Sequence, residues 1–133
     1  MKSLIASGKR KSAIARAVIK PGTGMVSVNR RLIRFCEPRI ARLKLEEPLI
    51  IAGEHANSFD ITVTVKGGGT MSQADAARLA IAKAIVGITK DKKLEKAYLE
   101  YDRHLLVADV RRREGRKPNT HGKARSKRQK SYR

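Results

Sequence analysis

The sequence predicts an α+β fold: a sheet of three to four strands with helices packed on one face, followed by an extended basic C-terminal tail. Three observations carry that prediction. The segment Phe59–Val65 alternates strictly, with Phe59, Ile61, Val63 and Val65 on one face and Asp60, Thr62 and Thr64 on the other. A long segment after it places Ala74, Ala77, Ile81, Ala84, Ile85 and Ile88 on one helical face. The last 23 residues, Arg111 to Arg133, hold eleven Lys or Arg against the single acid Glu114.

Taken in order, residues 12–20 read as a strand, because β-branched residues alternate with small ones. Leu4, Ile5 and Ala6 can add a strand beside it. Pro21, Gly22, Thr23 and Gly24 form a turn, proline setting φ and glycine tolerating positive φ. Met25–Val28 is then expected to return as the hairpin partner of the strand before the turn. Pro38 to about Leu45 suits a helix with Ile40, Leu43 and Leu45 as its apolar stripe, and Pro48 is expected to end or kink it. Leu49 to Gly53 stays open between a helical turn and a buried strand.

The strand over 59–65 ends at Gly67, Gly68 and Gly69. Ser72 is the expected N-cap of the helix beyond, with Asp75 near its positive end. Asp91 can cap a second helix bearing Leu94, Ala97, Tyr98 and Tyr101 at helical spacing, and Leu105–Ala108 is the last apolar stretch. Phe35, Phe59, Tyr98 and Tyr101 fall in apolar patterns and are expected in the core. The boundary therefore lies at residues 1–108 for the folded body and 109–133 for the tail.

Charge decides the class of partner. The chain carries 31 Lys or Arg against 12 acids, a net charge of +19, with 41% hydrophobic residues, enough for a core. Just over half of the excess charge, +10 of +19, sits in residues 111–133, which have only Ala124 and Tyr132 as apolar side chains apart from Pro118. Such a segment buries too little surface to offset its ordering entropy and orders only against a polyanion. A membrane surface would call for an amphipathic helix, but Pro118, Gly115 and Gly122 oppose one and the chain has no Trp. Nucleic acid is the expected partner, since arginine forks onto phosphates and base edges. No apolar run approaches a membrane span or a signal-peptide core, so a cytosolic protein is expected.

Enzyme signatures fail one by one. The triglycine follows a strand and opens a helix, yet no Gly-Lys-Ser/Thr follows it. His55, His104 and His121 stand singly, in no metal spacing, and Cys36 has no thiol or base partner in the sequence. No enzymatic activity, cofactor or metal is expected. The triglycine reads equally as a phosphate cradle at a helix N-terminus or as a flexible connection. The loop Gly8-Lys9-Arg10-Lys11-Ser12 reads as a binding loop, and Tyr132, with no core to join, as a stacking residue.

The run Gly8-Lys9-Arg10-Lys11-Ser12-Ala13-Ile14-Ala15-Arg16-Ala17, continued by Pro21-Gly22-Thr23-Gly24, resembles the opening of the small-subunit ribosomal protein number nine family. So do Gly67-Gly68-Gly69 with the segment from Gln73 to Ala84, Asp109 to Glu114, and the tail from Lys117-Pro118 to Gln129-Lys130-Ser131-Tyr132-Arg133. The Lys-Ser-Tyr-Arg ending is similar to the archaeal and eukaryotic branch, and the short chain to archaeal members. The resemblance implies a domain like the second domain of ribosomal protein number five, bound to ribosomal RNA in the head of the small subunit among neighbouring head proteins. It also implies a tail whose end approaches peptidyl-site transfer RNA, a role that falls to Arg133 with Tyr132 and Lys130. Ribosomal RNA contacts are expected from Lys9, Arg10, Lys11, Arg16, Arg30, Arg31, Gly67, Gly68 and Gly69. Along the tail they are expected from Arg111, Arg112, Arg113, Arg116, Lys117, Lys123, Arg125, Lys127 and Arg128. The competing reading is a non-ribosomal basic nucleic-acid-binding protein, an RNA chaperone or a chromatin-like protein.

Overall fold

The computed structural model describes residues 3–125. Five strands, β1 (Leu4–Arg10), β2 (Ala13–Pro21), β3 (Val26–Val28), β4 (Arg31–Leu32) and β5 (Phe59–Lys66), make one sheet in the order β1-β2-β5-β3-β4. Four helices accompany it: α1 (Arg39–Ala52), α2 (Glu54–Asn57), α3 (Thr70–Thr89) and α4 (Lys92–Tyr101). Short 3-10 turns cover Ile33–Phe35 and Arg103–Leu105. The α+β class is as expected, with the two-residue β4 taking the sheet to five strands.

β5 is the central strand, and its two faces differ as its alternation requires. Ile61, Val63 and Val65 are buried while Thr62, Thr64 and Lys66 are exposed. It pairs antiparallel with β2 from Ile14↔Lys66 to Pro21↔Phe59, and parallel with β3 through Val26↔Ile61 and Val28↔Val63. Met25–Val28 is therefore not the hairpin partner of β2, and the expectation from the turn chemistry is corrected. The turn residues lead instead around the start of β5, where Asp60 Oδ1 accepts hydrogen bonds from the Thr23 and Met25 N–H groups, both at 2.9 Å. Gly22 fits there because a Cβ at that position would collide with the Asp60 carboxyl group. A local turn signal cannot report that a strand from thirty-odd residues later inserts between its arms.

α3 lies along β1, β2 and β5, with Ala76, Ala77, Ala80, Ile81, Ala82, Ala84 and Ile85 wholly buried. Its alanines let the sheet come close: a Cβ on Gly8 of β1 would fall on the Ala76 carbonyl oxygen and 2.9 Å from the Ala80 nitrogen. The helix starts at Thr70 with Gly69 as N-cap, so Ser72 lies inside it rather than capping it. The backbone leaving the triglycine already satisfies the helical geometry three residues early; Gln73 N–H donates to the Gly69 carbonyl at 2.9 Å.

α1 also departs from expectation. It runs through Pro48 to Ala52, ending at Gly53 with φ 56°, so the open segment Leu49–Gly53 is helical. Pro48 is buried against α4, where the Tyr98 hydroxyl donates to its carbonyl at 2.7 Å. The inward stripe is Ala41, Leu45, Pro48 and Ala52, and Ile40 and Leu43 face outward. The small side chains permit the helix to approach α3, so size misidentified the buried face. Asp91 does cap α4, accepting from Lys93 N–H at 2.8 Å. Of the aromatic residues assigned to the core, Tyr98 is wholly buried and Phe59 half-buried. Phe35 and Tyr101 are corrected to exposed, at 64% and 59%; each is the last residue of its element, past the turn whose side chains are buried.

Candidate nucleic-acid interface

Strands β1 and β2 meet in a two-residue turn, Lys11–Ser12, closed by the pair Arg10↔Ala13. Lys11 adopts φ 52°, a left-handed conformation where glycine is the unstrained choice. The turn thus holds a cation where local conformation favours none. Beside it lies the triglycine. A Cβ on Gly67 (φ 78°) would sit 2.6 Å from the Ser12 carbonyl oxygen, and one on Gly68 (φ 67°) 3.0 Å from the Ala13 Cβ. Gly67 and Gly68 are therefore required by close backbone packing against the hairpin, a third reading beside the cradle and the flexible link. Gly69 has open space around its Cα, and α3 begins there with no side-chain cap.

Arg30 and Arg31 reach the same end of the sheet. Asn29 and Arg30 take φ 48° and 68°, a tight turn joining β3 to β4. Asn29 ties that turn to β5: its N–H donates to the Val63 carbonyl and its Oδ1 accepts from Val65 N–H, both at 2.9 Å. Since β3 runs parallel to β5, the turn lies at the end where β5 passes into Gly67. Arg31 and Asn29 line a cavity of about 430 Å³ with Thr70 and Gln73 at the start of α3.

The tail begins at this pole. Leu105 is buried and anchors the chain, Asp102 Oδ1 caps the preceding turn through His104 N–H at 2.9 Å, and residues 108–117 carry no helix or strand. Asp109 pairs with Arg10 of β1 and with Arg111 Nη2 at 2.8 Å. Hydrogen bonds from the Arg111 side chain and N–H hold the Asp109 carboxyl well below the usual carboxylate range. A groove of about 850 Å³ results, lined by Arg10, Lys11, Ser12, Arg111, Arg112 and Arg113. Among the described residues Lys11, Arg112 and Arg113 make no ion pair with a carboxylate. A groove lined by guanidinium and ammonium groups suits phosphate.

Not every predicted cation is free. Arg10 also lies 3.8 Å from Asp75, which takes Lys44 Nζ at 2.7 Å, and Arg78 bridges Glu47 at 2.5 Å and Asp102 at 2.9 Å. These pairs join β1, α1, α3 and the turn after α4, and the sequence held no signal for them beyond opposite charges at long separation. Burial raises the Asp102 pKa, but the His104 N–H and the Arg78 guanidinium outweigh it and leave the pKa lowered. Further along, Glu114 gathers Lys117 at 3.0 Å and Arg125 at 2.9 Å, and Lys117 N–H meets the Lys123 carbonyl at 3.3 Å. The tail thus turns back over residues 117–123 around Glu114. Arg116 is exposed in the irregular stretch before that turn, and Lys9 and Arg16 are exposed on the sheet. Lys127, Arg128, Lys130, Tyr132 and Arg133 lie outside the described residues.

Other chemistry finds no assembly here. Among the described residues no three His, Cys, Asp or Glu converge on a metal position, and no helix is long and apolar enough to cross a membrane. Burial pushes the Cys36 thiol pKa up, against the pull of Arg31 and Arg42.

A family model described as ribosomal protein S9/S16 matches residues 8–133. The chain is 48% identical, over the whole length of both chains, to the small ribosomal subunit protein uS9 of Methanococcus vannielii. It is equally similar, at 48% over both full lengths, to the proteins of that name in two strains of Methanococcus maripaludis, C7 and C5.

Proposed function

The chain belongs to the ribosomal protein S9/S16 family, a family of ribosomal structural proteins, and from that membership we propose that it binds ribosomal RNA in the head of the small subunit and extends its tail to peptidyl-site transfer RNA. Ribosomal RNA and neighbouring ribosomal proteins are its partners, in the cytoplasm. The observation that carries the RNA-binding part is convergence. Lys11, the triglycine, Arg30, Arg31 and Arg111 to Arg113 are scattered over a hundred residues of chain and meet at one pole of the body.

In this reading residues 1–108 are the RNA-bound body and 109–133 the tail. Lys9, Arg10, Lys11, Arg16, Arg30 and Arg31 contact phosphates of ribosomal RNA, as do Gly69 N–H and Arg111, Arg112 and Arg113. Arg116, Lys117, Lys123, Arg125, Lys127 and Arg128 continue that track. Arg133, with Tyr132 and Lys130 in support, meets the transfer RNA, its guanidinium forking onto phosphate oxygens. The work is positional and electrostatic, with no covalent step.

The test compares small subunits carrying the full chain with subunits carrying a chain that ends at Gln129. Transfer RNA should leave the peptidyl site faster from the truncated particles, with subunit assembly intact. Equal off-rates would reduce the tail end to RNA filler. Loss of the protein from subunits in a high-salt wash would favour a free nucleic-acid-binding module instead.

A further inference from the structure

All the helices that pack on the sheet lie on one side of it, and among the described residues the opposite side is bare. Strand register sorts the bare side into rows. Lys9, Ile14 and Lys66 lie abreast on β1, β2 and β5; the next row is Ser7, Arg16 and Thr64, and the next Ile5, Val18 and Thr62. Eight of these nine side chains are exposed and Val18 is half-buried. Lys20 adds a cation at the far end, opposite Asp60.

The charges on this face are almost all of one sign. Lys9, Arg16, Lys20 and Lys66 make no ion pair among the described residues. Asp60, the one acid pointing this way, is taken up by the Thr23 and Met25 N–H groups. The two large exposed apolar side chains, Ile5 at 56% and Ile14 at 53%, stand apart, and Ile14 lies between two lysines. The core of a protein–protein interface is depleted in lysine and built on contiguous apolar surface, which this face does not offer.

We propose that the bare face of the sheet docks on the minor groove of an RNA duplex. This rests on the RNA-binding reading above and adds a second surface to it, distinct from the tail pole, with Lys66, Lys20, Ser7, Thr62 and Thr64 as new contact residues. The shape fits, since the A-form minor groove is wide and shallow and a sheet face is nearly flat. So does the spacing. Lys9 and Lys66 are two strand spacings apart, about 10 Å, and Arg16 lies about 7 Å further along β2, which lets the cations address phosphates on the groove edges while the centre stays uncharged. In that centre the Thr62 and Thr64 hydroxyls meet ribose 2′-hydroxyls, the groups by which a protein tells RNA from DNA. Ile5 and Val18 lie against the apolar edges of the sugars.

Two double variants of the full chain test this, with a short RNA duplex and the DNA duplex of the same sequence as probes. Thr62→Val with Thr64→Val keeps β-branched shapes and charge but removes both hydroxyls. It should erase most of the preference for RNA over DNA while leaving the salt dependence as it was. Arg16→Glu with Lys66→Glu should lower affinity for the RNA duplex about ten- to a hundredfold at low salt. Melting temperatures should stay near that of the parent, because all four positions are exposed strand positions. Parent-like binding by both variants overturns the proposal. Normal RNA binding with failure to enter the small subunit also overturns it and assigns the face to a protein neighbour. Lys11→Ala is measured alongside. If it weakens binding and the sheet variants do not, the sheet proposal alone fails; if none of the three does, the RNA-binding reading fails with it.

Discussion

Asp109 and Arg10 are paired across ninety-nine residues of chain, and the pair welds the root of the basic tail to the edge strand of the sheet. Arg111 closes on the same carboxylate, so one acid orients two cations and sets the direction in which Arg112 and Arg113 leave the body. A tail of like charges otherwise repels both itself and the basic pole it leaves.

Replacing Asp109 by Ala should therefore free the tail root without unfolding the body. Limited trypsin digestion should cut after Arg111, Arg112 or Arg113 several times faster in the variant, with the body melting temperature changed by no more than a few degrees. Unchanged cleavage would mean that Leu105, buried four residues earlier, suffices to hold the root.

Lys11 separates stability from binding. Its φ of 52° disfavours any residue with a Cβ, so Lys11→Gly should stabilise the fold by up to about 1 kcal/mol. The same substitution removes an exposed cation from the tail-pole groove. It should weaken RNA binding and reduce the slope of log affinity against log salt by about one. Chemical denaturation and a salt titration on one variant read both effects, which should have opposite signs.

The Tyr98 hydroxyl is the polar stitch between α4 and α1. Tyr98→Phe should destabilise the protein by about 0.5–1.5 kcal/mol, since it removes one buried hydrogen bond while the Pro48 carbonyl keeps its place in the helix. RNA affinity of the folded variant should not change, because Tyr98 is wholly buried and lines no part of the tail-pole groove. Urea denaturation with an RNA-binding assay at low temperature checks both.

Gly8→Ala should cost more than an ordinary alanine substitution in a strand. The added methyl meets the backbone of α3 at Ala76 and Ala80, which cannot move aside as a flexible side chain would. An overpacking loss of about 1–3 kcal/mol is expected, again by denaturation.

Acid should unfold the body through its depressed carboxylates. Met25 and Thr23 N–H bonds lower the Asp60 pKa, and Asp102 and Asp109 are also lowered. In each case the unfolded chain binds the proton more readily, so stability rises with pH across the interval between folded and unfolded pKa. Stability should be level above the ordinary aspartate pKa of about 3.9 and fall as pH drops below it. Asp60→Asn should remove part of that fall; an identical acid limb in the variant would refute its share.

Much of this was legible from local pattern. The alternation of Phe59–Val65 named a strand and its buried face, and the alanine run named the helix against the sheet. Asp91 announced its own helix, because a side-chain cap is a contact between close neighbours. The basic loops were legible as cations but not as a site, since nothing local says that Lys11, Gly67, Arg30 and Arg111 share a pole. Where side-chain size stood in for burial, as at Ile40, Leu43, Phe35 and Tyr101, the reading failed.

What the sequence determined alone is the longer strands and helices and the excess of positive charge, because periodicity, capping and composition act over a few residues or over the chain as a whole. The tertiary structure decided which strands are neighbours, which cations remain unpaired, and why the triglycine is glycine. β5 lies between β2 and β3, where both of its edges are paired and one face is buried, a choice settled by competition among distant segments. Ion pairs such as Arg10–Asp109 and Arg78–Asp102 follow only after that choice, since charges that attract over a few ångströms must first be brought together by packing.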